Sequence, residues 1–374
     1  IHCGLWLFLA IGLVQAKSMQ NCPRPKCYLA KPDTRLGNHI FAFASAYGIC
    51  KRAAYDLVVP NYWPEMTSYF NITGFETYHH IPRRDTRHWH EEACCKFDRR
   101  VLSMIKIRCS PIALTGYLQS WRYFAGMDAE IKKHLLFTPA LKKVAQAFLH
   151  GLPRHPQSEL QACTSPTGER LPWNGTRLYV GVHVRRKDYK MEAIHADALL
   201  QVLTYLHCHY TPARVTFVVA SDAIKWCKNN LVGPFDIHFT NVTDPIEDLS
   251  ILASCNHSVL TIGSFGWWGA YLSGGEVYHS GWRRKRWFKQ FEPEDYYPPT
   301  WYMYPRIRYG GIWHPPWKGY SLLPPTHKDQ DKRTSSRRLG RMKDHRPGAE
   351  TWQSGDSNGE QGSAAPTLRS DMEF

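Results

Sequence analysis

The chain has 374 residues, room for two ordinary domains, and its 43% apolar and 13% aromatic content is that of a globular protein. A net charge of +15 suits an anionic partner: nucleic acid, a membrane surface or a phosphorylated substrate. No zinc-finger spacing, RNP-like run or basic zipper is present, which excludes the common nucleic-acid-binding classes.

Residues 1–16 carry the apolar run Leu5-Trp6-Leu7-Phe8-Leu9-Ala10-Ile11-Gly12-Leu13-Val14, too short for a comfortable membrane span. The run fits the core of a signal peptide, with Gln15-Ala16 as the cleavage region, or a truncated signal anchor. Both send the chain into the secretory pathway. Four sequons agree with this, at Asn71, Asn174, Asn241 and Asn256. Eleven cysteines agree as well, since a lumenal compartment lets them pair. The odd count leaves at least one unpaired, and Cys3 in the leader is the candidate. In that compartment nucleic acid is not an expected partner.

Residues 26–30 read as a short strand, followed by Arg35-Leu36-Gly37-Asn38-His39, a helix over 40–54 and a strand over 56–60. Residues 61–110 read as irregular. A strand is expected over 114–118, then helices over 127–137 and 139–150. Residues 151–175, rich in Pro and Gly, read as a linker or surface loop. From 176 the alternation is clear, with strands at 178–185, 214–220, 236–240, 258–262 and 276–279 separated by helical segments. Near-continuous apolar strands between helices predict a parallel, doubly wound sheet. The expected fold is α/β: two Rossmann-like domains facing a cleft, over 17–150 and 176–325. Residues 326–374 lack aromatic and apolar runs and are expected to be disordered.

Residues 181–189 read Gly-Val-His-Val-Arg-Arg-Lys-Asp-Tyr directly after Leu178-Tyr179-Val180. Ligands of an open α/β sheet sit beyond the carboxyl ends of its strands. Arg185 and Arg186 there suit a diphosphate, because guanidinium forks match phosphate oxygens and stay charged. The same pattern also fits a strand ending in solvated basic residues. A second cluster, Thr261-Ile262-Gly263-Ser264-Phe265-Gly266-Trp267-Trp268-Gly269, stands where a strand gives way to a helix. Small residues let a ligand approach the backbone, and helix-start amides favour phosphate. A plain turn with a capping serine fits equally well. Trp267 and Trp268 suit either stacking on a sugar or guanine, or burial in the core. Residues 35–39 form a third cluster, which a simple β-α turn also explains.

Gly-x-x-x-x-Gly-Lys-Ser/Thr and Gly-x-Gly-x-x-Gly are both absent, which argues against a P-loop hydrolase and a simple dehydrogenase. The sole Asp-x-Asp, Asp329-Gln330-Asp331, lies in the expected disordered tail. Arginine rather than a divalent cation is therefore expected to neutralise phosphate, and no metal is expected. His88-Trp89-His90 with Cys94-Cys95 has metal-ligand residue types, but disulfides and a solvated loop are the expected outcome in an oxidising lumen. Trp282-Arg283-Arg284-Lys285-Arg286 is expected to be a solvated basic face or a glycan contact.

Residues 181–189 resemble the His-Val-Arg-Arg-x-Asp-Tyr signature of the galactoside α-1,2-L-fucosyltransferases, glycosyltransferase family 11. Companion segments match in order: Arg35-Leu36-Gly37-Asn38, Gly116-Tyr117-Leu118-Gln119-Ser120-Trp121, Trp226-Cys227-Lys228 and the run from Cys255-Asn256-His257 through Gly266. The likeness covers roughly residues 26–300, and ordered matches are more specific than any one of them. It implies a GT-B-like fold and inverting transfer of L-fucose from GDP-fucose to the 2-hydroxyl of a galactose, in the Golgi. The chain would then be a type II membrane protein held by its apolar leader, or secreted. It implies that Arg186, with Arg185 beside it, stabilises the leaving GDP. His183, Gly37, Gly263, Ser264 and Phe265 would line the donor, and Asn38, across the cleft, would stand near the donor or acceptor. Asp188 would orient the arginines or bind the nucleotide. The base that takes the acceptor's proton stays open among Glu192, Asp188, His39 and His183. Glu192 also reads as an exposed acid at a helix start. His39 and Lys187 depart from the glutamine and glycine of the family pattern, which touches acceptor preference more than donor chemistry. A protein or core-glycan fucosyltransferase and a non-catalytic GDP- or glycan-binding protein are the alternatives.

Overall fold

A computed structural model describes residues 24–105, 110–155, 163–164, 174–187, 194–281, 291–304 and 321–322. The first sheet is built from β1 (Lys26–Leu29), β2 (Asp56–Pro60), β3 (Glu76–Tyr78), β4 (Arg87–His90) and β5 (Ile112–Thr115), in the order β3-β2-β1-β5-β4. All its pairings are parallel. The expectation of irregular chain over 61–110 is corrected here, because β3 and β4 lie inside it. Both are edge strands with mostly exposed side chains, so their sequences are polar and lack the apolar run of a central strand.

Helix α1 (Leu36–Arg52) is buried on nearly every face, which is why its pattern reads as apolar all round rather than as a stripe. Its small residues allow close approach: a Cβ on Gly48 would lie 2.2 Å from the Tyr123 carbonyl oxygen. Lys51 and Arg52 in its last turn complement the helix dipole. The Cys27–Cys50 disulfide ties α1 to β1.

The second sheet holds β7 (Arg177–Val184), β8 (Arg214–Ser221), β9 (Asp236–Phe239), β10 (His257–Leu260), β11 (Val277–His279) and β12 (Tyr302–Met303), ordered β12-β11-β10-β7-β8-β9 and parallel throughout. β6 (Cys163–Thr164) pairs antiparallel with β13 (Ser321–Leu322), inside and beyond the expected linker respectively. Val180, Val182 and Val184 point to one face, where they meet Leu199, Val202 and Leu203 of helix α3 (Ala196–His209). On the other face Val218 packs with Ala145 and Leu149 of α2 (Pro139–Gly151) and Ile251 of α4 (Pro245–Ala253). Both faces are covered, as the continuous apolar strands require.

A single hydrophobic cluster joins the two sheets. It runs from Phe41 and Phe43 of α1 to Trp267 and Trp268 of α5 (Ser264–Ser273). Both tryptophans are fully buried, and the Trp267 indole N–H donates to the Tyr296 carbonyl at 2.9 Å. They are core residues, and the alternative of stacking on a ligand falls away. Cys94 pairs with Cys95 and Cys163 with Cys208, while Cys227 and Cys255 are buried free thiols. Cys3, the leader, the 282–286 basic run and the 326–374 tail lie outside the described residues. Among the described residues no helix is long and apolar enough to cross a membrane.

Candidate active site

The second sheet reverses its strand order between β7 and β10; in the first the chain crosses from β3 to the opposite edge at β4 and returns to set β5 beside β1. The reversal opens a crevice at the carboxyl ends of β7 and β10, because their connections leave to opposite sides. Residues 30–38 and 116–119 follow β1 and β5, and residues 185–187 and 261–264 follow β7 and β10. All three motif clusters of the sequence therefore stand at the carboxyl ends of central strands, two of them at the reversal in the second sheet.

The strand-end segments of the two sheets meet at Asn38. Its Oδ1 accepts a hydrogen bond from Ser264 Oγ at 2.6 Å and another from Gln119 Nε2 at 2.6 Å. The contact needs a glycine at 37, where a Cβ would lie 2.7 Å from both Ser264 Oγ and the Phe265 backbone nitrogen. The first turns of α1 and α5 thus abut. Neither is capped by a side chain and neither has an acid in its first turn. Uncapped helix-start amides carry partial positive charge and favour an anion. Gly263 holds a left-handed conformation, φ +97°, that sets the start of α5.

Beyond β7 the backbone splays the two arginines apart. Arg185 runs beside Gly263, with its Cγ 4.0 Å from where a Cβ on that glycine would be, so it flanks the crevice. Its backbone N–H donates to Thr261 Oγ1 at 2.9 Å and its guanidinium pairs with Asp222 at 3.2 Å. Arg186 turns toward β8, lies 3.5 Å over the Trp226 ring and donates to the Ile194 carbonyl at 2.9 Å. Burial pulls its guanidinium below the ordinary arginine range. Asp222 also accepts from the backbone N–H groups of Arg186 at 2.9 Å and Lys187 at 3.0 Å.

His183 lies one layer below. It is buried against Gly266 and tilted against the Phe265 ring, and burial lowers its pKa to about 4, so the ring is neutral. His39 is buried with both ring nitrogens engaged: Nε2 donates to the Thr34 carbonyl at 2.9 Å and Nδ1 accepts from the Trp63 indole at 2.6 Å. Neither histidine presents a free basic nitrogen to the crevice. The sequence reading thus brings together Gly37, Asn38, Gly263, Ser264, Phe265 and Arg185, sets Arg186 beside them and places His183 beneath. Asp188 and Glu192 lie outside the described residues.

Asp222, Thr261, Trp226 and Gln119 carry parts that sequence reading left unassigned. A Ser-Asp pair closing the strand after the arginine strand is the signal for Asp222, since an acid there faces its neighbour's end. The described residues hold one group able to offer three metal-ligand atoms, His155, Asp236 and His238. It sits at the amino-terminal edge of the second sheet, away from the crevice. Asp236 is fully buried and already accepts from Arg214 at 3.0 Å, with Arg177 at 3.6 Å. Two guanidiniums make this an ion-pair lock and disfavour a dication.

The family model for glycosyl transferase family 11 matches residues 102–304. Galactoside alpha-(1,2)-fucosyltransferase 2 of Bos taurus is 30% identical over 287 residues, 71% of this chain and 76% of that protein. The Sus scrofa protein of the same name is 30% identical over 295 residues, 71% of this chain and 76% of its own length. Among solved structures, fucosyltransferase NodZ from Bradyrhizobium is similar over 66% of this chain and 92% of that chain, with TM-score 0.43 and 11% identity.

Proposed function

Because the chain belongs to glycosyl transferase family 11, we propose that it is an inverting α-1,2-fucosyltransferase. It moves L-fucose from GDP-β-L-fucose to the 2-hydroxyl of a galactose that ends a glycan. The observation that carries this reading is the meeting of the strand-end segments of the two sheets at Asn38, with Arg185 and the α5 amides on one side and the 116–119 turn on the other. The second sheet takes the donor and the first sheet the acceptor.

In this reaction the bond from fucose C1 to the β-phosphate oxygen breaks, and C1 bonds to the galactose oxygen from the opposite face. The hydroxyl proton passes to a base, and GDP leaves with the bonding pair. Negative charge grows on the diphosphate, so donors fixed beforehand lower the barrier. Arg185, Arg186 and the Gly263–Ser264 segment are those donors, held by Asp222, Thr261 and Trp226. Two guanidiniums do the electrostatic work of a divalent cation, so no metal is required. The base is Glu192 or Asp188, since His39 and His183 are engaged or buried. Three disulfides among the described residues and exposed Asn71, Asn174, Asn241 and Asn256 support a lumenal, Golgi location, with the apolar leader as anchor.

Incubation with GDP-fucose and a panel of galactosides, with linkage and anomeric form read by NMR, tests the proposal. The expected product is an α-1,2-linked fucoside, formed equally in the presence of a chelator. No product on any terminal galactose, or fucose found only on protein hydroxyls or a glycan core, contradicts it.

A further inference from the structure

Glu91 follows β4 at the carboxyl edge of the first sheet and is buried. One carboxylate oxygen accepts the backbone N–H groups of Tyr117 at 2.8 Å and Leu118 at 2.9 Å. The other is buried without a hydrogen-bond partner among the described residues. The 116–119 turn is closed tightly over this side chain. A Cβ on Gly116, φ +140°, would lie 2.4 Å from Glu91 Cβ, and Leu118 is in the left-handed region, φ +53°. A non-glycine residue there is held at a cost, and the two amide bonds to Glu91 hold it. The turn carries two consequences. Gln119 reaches Asn38 at 2.6 Å, and the Tyr117 side chain stands 42% exposed at the sheet edge, two residues from that contact.

An exposed aromatic ring offers a flat apolar surface on which the C–H face of a pyranose packs, and Tyr117 lies on the turn whose Gln119 touches Asn38. We infer that Glu91 is a positioning residue for the acceptor: it clamps the turn that presents Tyr117 to the acceptor sugar and Gln119 to Asn38. The inference rests on the fucosyltransferase reading and names the acceptor side of that same site.

Burial raises the Glu91 carboxyl to about 7, against the opposing pull of the Leu118 and Tyr117 amides. Asp98 and Tyr123 are the titratable groups that face it, and Asp98 adds to the upward shift. Asp98 is in turn paired with Arg100. Above about pH 7 the clamp is an ionised carboxylate, the stronger acceptor of amide hydrogens; below it the carboxyl is neutral and grips less.

Kinetics on the full chain with GDP-fucose and a β-galactoside test this, with GDP affinity measured alongside. Tyr117→Ala is expected to raise the acceptor KM roughly tenfold at unchanged GDP affinity, and Tyr117→Phe to restore it. Wild-type kcat/KM for the acceptor is expected to fall as pH drops through about 7. Glu91→Gln keeps an acceptor oxygen but cannot titrate, so it is expected to fold, bind GDP normally and lose that limb. Glu91→Ala is expected to lower kcat and raise the acceptor KM together; should it fail to fold, the Glu91→Gln profile decides. A wild-type acceptor KM in Tyr117→Ala, or an unaltered limb in Glu91→Gln, overturns the inference while fucosyl transfer stands. A wild-type protein that transfers no fucose to galactosides overturns the functional reading and this inference with it.

Discussion

Asp222 meets the arginine segment three times, at the Arg185 guanidinium and at the backbone amides of Arg186 and Lys187. Its removal frees both the direction of the Arg185 guanidinium and the shape of the loop that carries Arg186. Asp222→Ala is expected to weaken GDP binding about tenfold, corresponding to about 1.4 kcal/mol. Removing the carboxylate also leaves three donors to find water, and the expected stability loss is about 1–3 kcal/mol. Calorimetric titration with GDP and thermal unfolding read the two effects separately; wild-type GDP affinity would show that Asp222 serves the fold alone. The arginines were legible as chemistry only with their ordered companion motifs, because two guanidiniums after an apolar strand also fit a solvated strand end. Asp222 was not, because its role depends on the β7–β8 register that sets Ser221 opposite Val184. Glu91 was hidden in the same way, just after a polar edge strand whose pairing with β5 no alternation announces.

At the scale of elements, the contact of α1 with α5 is what turns two sheets into one site. Gly37 permits that contact, and its neighbours there include the Phe265 backbone, which cannot swing aside as a side chain can. Gly37→Ala is expected to reduce fucosyl transfer at least roughly tenfold by separating Asn38 from Ser264, a misplacement of the kind that costs rate without unfolding. Gly151→Ala, at a helix end where a new Cβ meets nothing within 4 Å, serves as the control and is expected to leave transfer unchanged. Equal activity in the two variants would show that the helix contact is dispensable. The strands β7, β8 and β10 were legible from their largely apolar runs, since a strand covered on both faces needs no polar side. β3 and β4 were not legible, since an edge strand facing water looks like loop. The choice between core and ligand for Trp267 and Trp268 was open in the sequence for a different reason. Only the packing of α5 on Phe41 decides it.

Over the whole molecule, strand order and helix polarity converge on one place. The chain's excess of basic residues suits an anionic donor. In the proposed reading the reversal in the second sheet gives that donor a crevice, and the uncapped starts of α1 and α5 with the two arginines give it ligands. The shared core of the two sheets keeps these parts in register. The central claim is that arginine forks, rather than positive charge as such, hold the diphosphate. A variant carrying Arg185→Lys and Arg186→Lys together keeps the net charge and removes both forks. Titration of GDP into this variant and into the wild type is the most direct measurement. The account predicts binding weaker by roughly a hundredfold with the fold retained; GDP affinity equal to that of the wild type would contradict it.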